Sequence, residues 1–205
     1  MPKPLTMNFF KRLFSKSKYH SDNESNEQSN TEPNLTAIYT TDYFEQRYVL
    51  APIEPEMLEG CFKMIEGYFV ANTITRLEEF PLHHPKNLDL VDQEGFGFVL
   101  YCSAFQLGES EATLFLAMAF SDFLIQKYGF VLYTDATPEY PLRGMTLKYD
   151  QDGVVLSLYP FEYAAKVLQG NATFSELEDR LQSQLAVMPD MRNTVNQFLN
   201  REETD

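Results

Sequence analysis

Histidine, the residue type that most often serves as a catalytic base, is scarce in this sequence. Only His20, His83 and His84 occur among 205 residues. A hydrolase needs a nucleophile with a positioned base. The His83-His84 pair is followed by Asp89 and Asp92, and these residue types bind metal ions, but adjacent residues seldom ligate one ion and no H-x-x-x-H or C-x-x-C spacing is present. We therefore expect no metal and no cofactor, with an ion at the histidine pair left as an open alternative.

Two further motifs match known chemistry only in part. Gly95-Phe96-Gly97 is similar to the start of a glycine-rich loop, but neither a third glycine nor a phosphate-holding lysine follows at the required spacing. Cys61 and Cys102 have apolar neighbours, which is typical of buried, reduced thiols. Cysteine catalysis would need an activating histidine, and nothing in the sequence places one near either thiol. No catalytic residue is assigned, and a non-enzymatic role is favoured.

The stretch from Asp135 to Arg143 has the strongest binding signal in the chain. Its composition, Asp-Ala-Thr-Pro-Glu-Tyr-Pro-Leu-Arg, predicts a loop between two strands. Loops on a rigid scaffold are where binding residues concentrate. The candidate binding residues are Asp135, Glu139, Tyr140 and Arg143. Tyr140 could anchor an interface, and Asp135 could pair with Arg143 or accept other hydrogen bonds. In the alternative interpretation, Asp135 only caps the loop and Arg143 neutralises it.

Short apolar segments on both sides of this loop are predicted to be strands. Residues 130–134 follow a helix directly, and residues 145–149 and 154–159 flank an Asp-Gly pair, which is a hairpin signal. Three strands in series predict an antiparallel meander.

The remaining elements are predicted to be helices. Apolar residues recur at helical spacing over roughly 55–72 and 111–128. Further helices are predicted at 161–169, at 173–187 behind the capping box Thr173-Phe174-Ser175-Glu176, and at 190–200. Residues 95–105 are helix or strand, and periodicity does not separate the two. The predicted fold class is therefore α+β, with a small three-stranded antiparallel meander packed against helices.

Charge divides the chain into two parts. Residues 1–20 hold five basic residues and no acid, which leaves 11 basic against 30 acidic residues, a net charge of −19, in residues 21–205. Residues 21–34 contain no apolar side chain and are expected to be a flexible linker. The predicted organisation is a disordered tail at 1–34, first basic and then polar, followed by a single acidic domain at 35–205.

One segment of the tail combines apolar and basic side chains, and two interpretations of it are open. Phe9, Phe10, Leu13 and Phe14 alternate with lysine and arginine and favour either a short amphipathic helix in weak contact with a membrane surface or a disordered start. Met1 and Met7 are both candidate start residues. The sequence contains no run of about 18 apolar residues, so no transmembrane segment is predicted. No signal peptide is indicated either. A cytoplasmic location is expected.

The central part of the chain resembles an uncharacterised bacterial family with a domain of unknown function. The likeness lies in the run from Gly129 to Asp135, in Pro141-Leu142-Arg143, and in Val154 to Tyr159 followed by a Pro160-Phe161 helix that ends at Gly170. It covers roughly residues 108–187. The resemblance implies a small bacterial cytoplasmic protein and supplies no catalytic residues.

The acidic domain suggests the kind of partner. A negative field repels phosphate backbones, so direct nucleic-acid binding is not expected, whereas basic proteins are steered toward it. The leading hypothesis is a protein-binding protein, specifically an immunity-type inhibitor of a basic toxin. The alternatives are an adaptor tethered through its basic aromatic N-terminal segment, and an enzyme of unrecognised type that uses Asp135 and Glu139 as acid and base.

Overall fold

The part of the chain that the structure describes folds as an α+β arrangement of six helices and one antiparallel sheet, so the predicted α+β class is confirmed. The computed structural model describes residues 46–91, 97–151 and 154–187. In chain order they form β1 (Tyr48–Leu50), α1 (Pro55–Ala71), α2 (Pro85–Leu88), α3 (Gly97–Ser103), α4 (Glu109–Tyr128), β2 (Val131–Asp135), β3 (Met145–Gln151), β4 (Val154–Leu158), α5 (Pro160–Leu168) and α6 (Phe174–Val187). The predicted tail at 1–34 and the predicted helix at 190–200 lie outside these ranges.

The sheet has four strands in the order β1-β2-β3-β4, and the prediction of three strands is wrong by one. The predicted meander corresponds to β2, β3 and β4. The additional strand, β1, pairs antiparallel with β2 and places Tyr48 opposite Asp135 and Leu50 opposite Tyr133. Its three residues are too few for an alternating pattern, and Val49 and Leu50 are exposed. Pairing with β2, not burial, fixes this strand, so the sequence carries no local signal for it.

Helix α4 is the centre of the core. Most of its residues are buried on every side, as the apolar composition of this segment predicts. Fully buried Ala112, Ala117 and Ala119 let neighbouring helices approach closely, and α1 and α5 both pack against α4. On the sheet, the buried face is formed by Leu132, Met145 and Leu147, and α4 and α5 contact β2 and β3 respectively. The loop after β2 therefore stands on a rigid base.

Residues 97–103, which the sequence left as helix or strand, are a helix. Phe98 and Cys102 lie one turn apart on α3, and both are fully buried. The capping box before α6 is present in part, because Thr173 Oγ1 accepts from Glu176 N at 3.2 Å. The first two N–H groups of α6 instead donate to Asp89, from Phe174 N at 2.7 Å and from Ser175 N at 3.0 Å.

Gly129 ends α4 in the left-handed conformation, with φ at 76°. A Cβ at this position would also collide with the side-chain amide of Gln151, whereas Gly170, at φ 71°, has nothing within 4 Å of its added Cβ. We expect Gly129→Ala and Gly170→Ala each to lower the free energy of unfolding by about 1 kcal/mol, since both acquire left-handed strain and the exposed end of Gln151 can move away from a Cβ at position 129. Urea unfolding measures both. In a Gln151→Ala background the cost of Gly129→Ala should not change, and a clear gap between the two glycine variants would contradict this explanation.

Candidate functional site

The loop after β2 is anchored by an ion pair at its base. Asp135, the last residue of β2, is buried and accepts three hydrogen bonds from Arg47, from Nε to Oδ1 at 3.0 Å and to Oδ2 at 3.1 Å, and from Nη2 to Oδ2 at 2.9 Å. Its Oδ1 also accepts from Thr137 N at 2.9 Å. Asp135 therefore caps the start of the loop. Of the two possibilities that the sequence left open for Asp135, pairing with Arg143 or accepting other hydrogen bonds, the structure shows the second, because Arg47, 88 residues away in the sequence, occupies that carboxylate.

Arg143 joins the other end of the loop to α5. Its Nε donates to Glu162 Oε2 at 2.7 Å, and its Nη1 donates to Glu139 Oε2 at 3.0 Å. Lys166 Nζ donates to the second oxygen of Glu162 at 2.8 Å. The hydrogen bonds from Arg143 and then Lys166 lower the pKa of Glu162. This chain of alternating charges fixes the loop against the first two turns of α5.

Tyr140 and Leu142 project from this fixed loop and are 55% and 40% exposed. The Arg143 guanidinium lies 5.2 Å from the centroid of the Tyr140 ring and 4.9 Å from that of Tyr159, within the range of cation–π attraction. A 3-10 turn at Pro141–Arg143 shapes the backbone between the two exposed side chains. We call Glu139–Arg143, together with Glu162 and Lys166, the sheet-end surface.

Three of the four predicted binding residues, Glu139, Tyr140 and Arg143, come together on this surface, while Asp135 lies at its base. Both carboxylates proposed as an acid and base pair are held by arginines, Asp135 by Arg47 and Glu139 by Arg143. Each is tied into a structural ion pair with its own arginine. This arrangement suits a contact surface better than proton transfer.

A shallow depression borders the sheet-end surface. Its volume is about 190 Å³, and its lining consists of Ser157, Leu158, Tyr159, Glu162, Tyr163 and Lys166. Pockets for small molecules usually hold about 300–1,000 Å³. The depression therefore suits a single side chain of a protein partner better than a metabolite.

The neighbouring outer face of the sheet carries residues that the sequence did not single out. Lys148 Nζ lies 4.1 Å from the centroid of the Tyr48 ring, and Arg47 lies 5.2 Å from the same centroid. Burial, and then the charge of Arg47, lowers the pKa of Lys148. Register places Lys148 opposite Ser157, whose Oγ accepts from Lys148 Nζ at 3.1 Å. No local motif marks this cluster, because it depends on β1.

The two adjacent histidines diverge in the structure. His83 Nδ1 lies 2.9 Å from Asp122 Oδ2 on α4, and Gln126 Nε2 donates to both oxygens of that carboxylate. The His84 ring instead stacks on Phe80. Over residues 46–91, 97–151 and 154–187, no group of three histidine, cysteine or acidic side chains is arranged to hold a metal ion. Asp92 and Gly95-Phe96 lie outside these ranges.

Both cysteines are buried and unpaired, as predicted. Burial raises the pKa of Cys61 and of Cys102 to about 12. Both side chains are therefore neutral thiols at physiological pH, and a thiol is a much weaker nucleophile than a thiolate.

No family model, curated protein or solved structure matches this chain. The resemblance to an uncharacterised bacterial family therefore stays a prediction. Within the described ranges, no helix has the length and apolar character needed to cross a membrane. The case for a function depends on the sheet-end surface itself.

Proposed function

We propose that this protein binds another protein through the sheet-end surface. The observation that carries the proposal is the presence of two exposed large side chains, Tyr140 and Leu142, on a turn held at both ends by ion pairs. Tyrosine and arginine are enriched among the residues that contribute most to protein–protein affinity. The surface offers both types side by side, with the Arg143 guanidinium against the Tyr140 ring.

Rigidity is the second support for the proposal. A partner that orders a flexible loop or side chain on binding loses affinity to conformational entropy, about 0.5–1.5 kcal/mol for each immobilised side chain. Here Arg143 N donates to Tyr140 O at 2.9 Å and Gly144 N donates to Pro141 O at 3.1 Å, so the turn is already formed. Tyr140 can therefore enter a partner's pocket at little entropic cost.

The charge of the chain points to a basic partner. The net charge is −14 over the whole sequence, and a field of that sign accelerates the approach of basic proteins. The sheet-end surface itself is nearly neutral, because Arg143 and Lys166 face Glu139 and Glu162. The net charge of the whole acidic domain would thus attract the basic partner, and Tyr140 and Leu142 would supply the affinity of the complex. An immunity-type inhibitor of a basic bacterial toxin, acting in the cytoplasm, is the specific form of this function that we favour.

Capture from a lysate of the source cells tests the proposal. Tagged full-length protein is compared with Tyr140→Ala/Leu142→Ala at about 50 and 300 mM salt, because charge-steered complexes weaken with screening. The control variant is Val70→Ala/Leu100→Ala, which removes two other apolar side chains that are 81% and 69% exposed.

We expect the wild type and the control to retain one basic protein, less of it at the higher salt, and the Tyr140/Leu142 variant to retain at least tenfold less. Equal capture by all three proteins would place the binding surface elsewhere. Capture of no protein by the wild type would contradict the proposed function.

A further inference from the structure

Helix α6 packs against α2, and ionisable side chains anchor it to α4 and to the end of α2. Glu178 of α6 is buried, and its Oε1 accepts from Lys127 Nζ, from Tyr128 Oη at 3.2 Å and from Gln182 Nε2 at 3.2 Å. At the other end of the contact, the Asp89 carboxylate holds the first turn of α6. We call this contact, with His84 at its edge, the histidine junction.

His84 is held in a geometry that requires a neutral ring. Its Nδ1 accepts a hydrogen bond from Lys86 N at 3.2 Å and so caps the first turn of α2. The ring stacks on Phe80 with centroids 4.1 Å apart and meets the edge of Phe123 at 5.1 Å. A proton on Nδ1 would remove the acceptor that caps α2.

The charged groups that face His84 come from three helices. Burial is the main cause that lowers the pKa of His84; Glu178 opposes this shift, while Lys127, Lys86 and His83 add to it. Because the pKa is lower in the folded protein, an opened junction binds a proton more readily than a closed one. The free energy by which His84 favours the closed junction is therefore fully present above the ordinary histidine pKa of about 6.5. It declines as the pH falls through that value.

We infer that the histidine junction is a pH-sensitive latch, in which proton uptake by His84 removes the cap of α2 and loosens the contact between α2 and α6 in mildly acidic solution. The contact between His83 Nδ1 and Asp122 Oδ2 involves α4 and does not cap α2. The latch is independent of the sheet-end surface, so its failure would leave the proposed function untouched.

Hydrogen exchange of the full-length protein, followed by mass spectrometry at pH 7.5, 6.5 and 5.5 and corrected for the intrinsic exchange rate at each pH, tests the latch. We expect the opening of peptides that cover α2 and the first turns of α6 to increase up to about tenfold between pH 7.5 and 5.5. Peptides from β3 serve as the internal reference and should not change.

His84→Asn is the decisive variant, because the asparagine side-chain oxygen can cap α2 in the same way but does not titrate. Its opening should be independent of pH, whereas the control His83→Asn should keep the pH dependence of the wild type. Asp89 is present in both variants, so any contribution from its titration would persist in His84→Asn. A wild type without pH dependence, or a His84→Asn variant with undiminished dependence, would overturn the inference.

Discussion

Replacing Asp135 with alanine is expected to lower the free energy of unfolding by about 3 kcal/mol, one of the two largest effects we predict for a single substitution. The change removes the carboxylate that pairs with Arg47 and the acceptor of Thr137 N. Removing one partner of a buried pair costs about 3–5 kcal/mol because the other charge stays in place. The lower end applies here, since the Arg47 side chain retains some contact with solvent. Urea unfolding of the variant and the wild type gives the value.

A double-mutant cycle with Arg47→Ala separates the ion pair from other consequences of the substitution. If the pair couples the two residues, the double variant should be less destabilised than the sum of the single variants, by at least about 1.5 kcal/mol. Hydrogen exchange in β1 should increase in both single variants, because Arg47 directly precedes this strand. Additive effects, or an Asp135→Ala variant as stable as the wild type, would contradict the anchoring role.

Replacing Asn87 with alanine is expected to cost about 3 kcal/mol as well. The Asn87 side chain is fully buried. Its Oδ1 accepts from Leu77 N at 2.8 Å, while its Nδ2 donates to Leu77 O at 3.1 Å, Phe80 O at 3.1 Å and Pro81 O at 3.0 Å. Alanine would leave several buried backbone groups without partners, each at a cost of about 1–3 kcal/mol before relaxation and entry of water. Thermal and urea unfolding test this value.

Asn87→Asp provides the matched test of the donated hydrogen bonds. Aspartate has nearly the same shape and keeps the acceptor for Leu77 N, but it places a second acceptor against three carbonyl oxygens. We expect it to be at least as destabilising as alanine. Asn72→Ala, which removes one hydrogen bond from a helix end to Tyr68 O, is the exposed control and should cost less than about 1 kcal/mol. A stable Asn87→Asp variant would show that donation by this side chain is unimportant.

The parts of the fold that could be predicted are those that a local pattern determines. Helix α4 is apolar on all sides over many residues, and the meander of β2, β3 and β4 follows from short apolar segments around an Asp-Gly pair. In both cases residues close in sequence make most of the defining hydrogen bonds. The exposed position of Tyr140 also followed from its place in a proline-rich loop between strands.

The parts that could not be predicted depend on contacts between distant segments. Strand β1 exists through its pairing with β2, so no local pattern indicated that Arg47 pairs with Asp135, and Arg143 was considered because it is nearer in the sequence. Asp89 caps α6 from 85 residues away, although in the sequence it suggested a metal ligand beside two histidines. A charged residue has several possible partners within a chain, and only the tertiary fold selects among them.

The central claim is that Tyr140 and Leu142 supply the affinity for a basic protein partner, and titration calorimetry with the captured partner tests it most directly. We predict that Tyr140→Ala/Leu142→Ala raises the Kd at least about 30-fold, equivalent to about 2 kcal/mol, which is the usual threshold for residues that dominate an interface. The Val70→Ala/Leu100→Ala control should bind within about twofold of the wild type. A Kd for the Tyr140/Leu142 variant equal to that of the wild type would contradict the account.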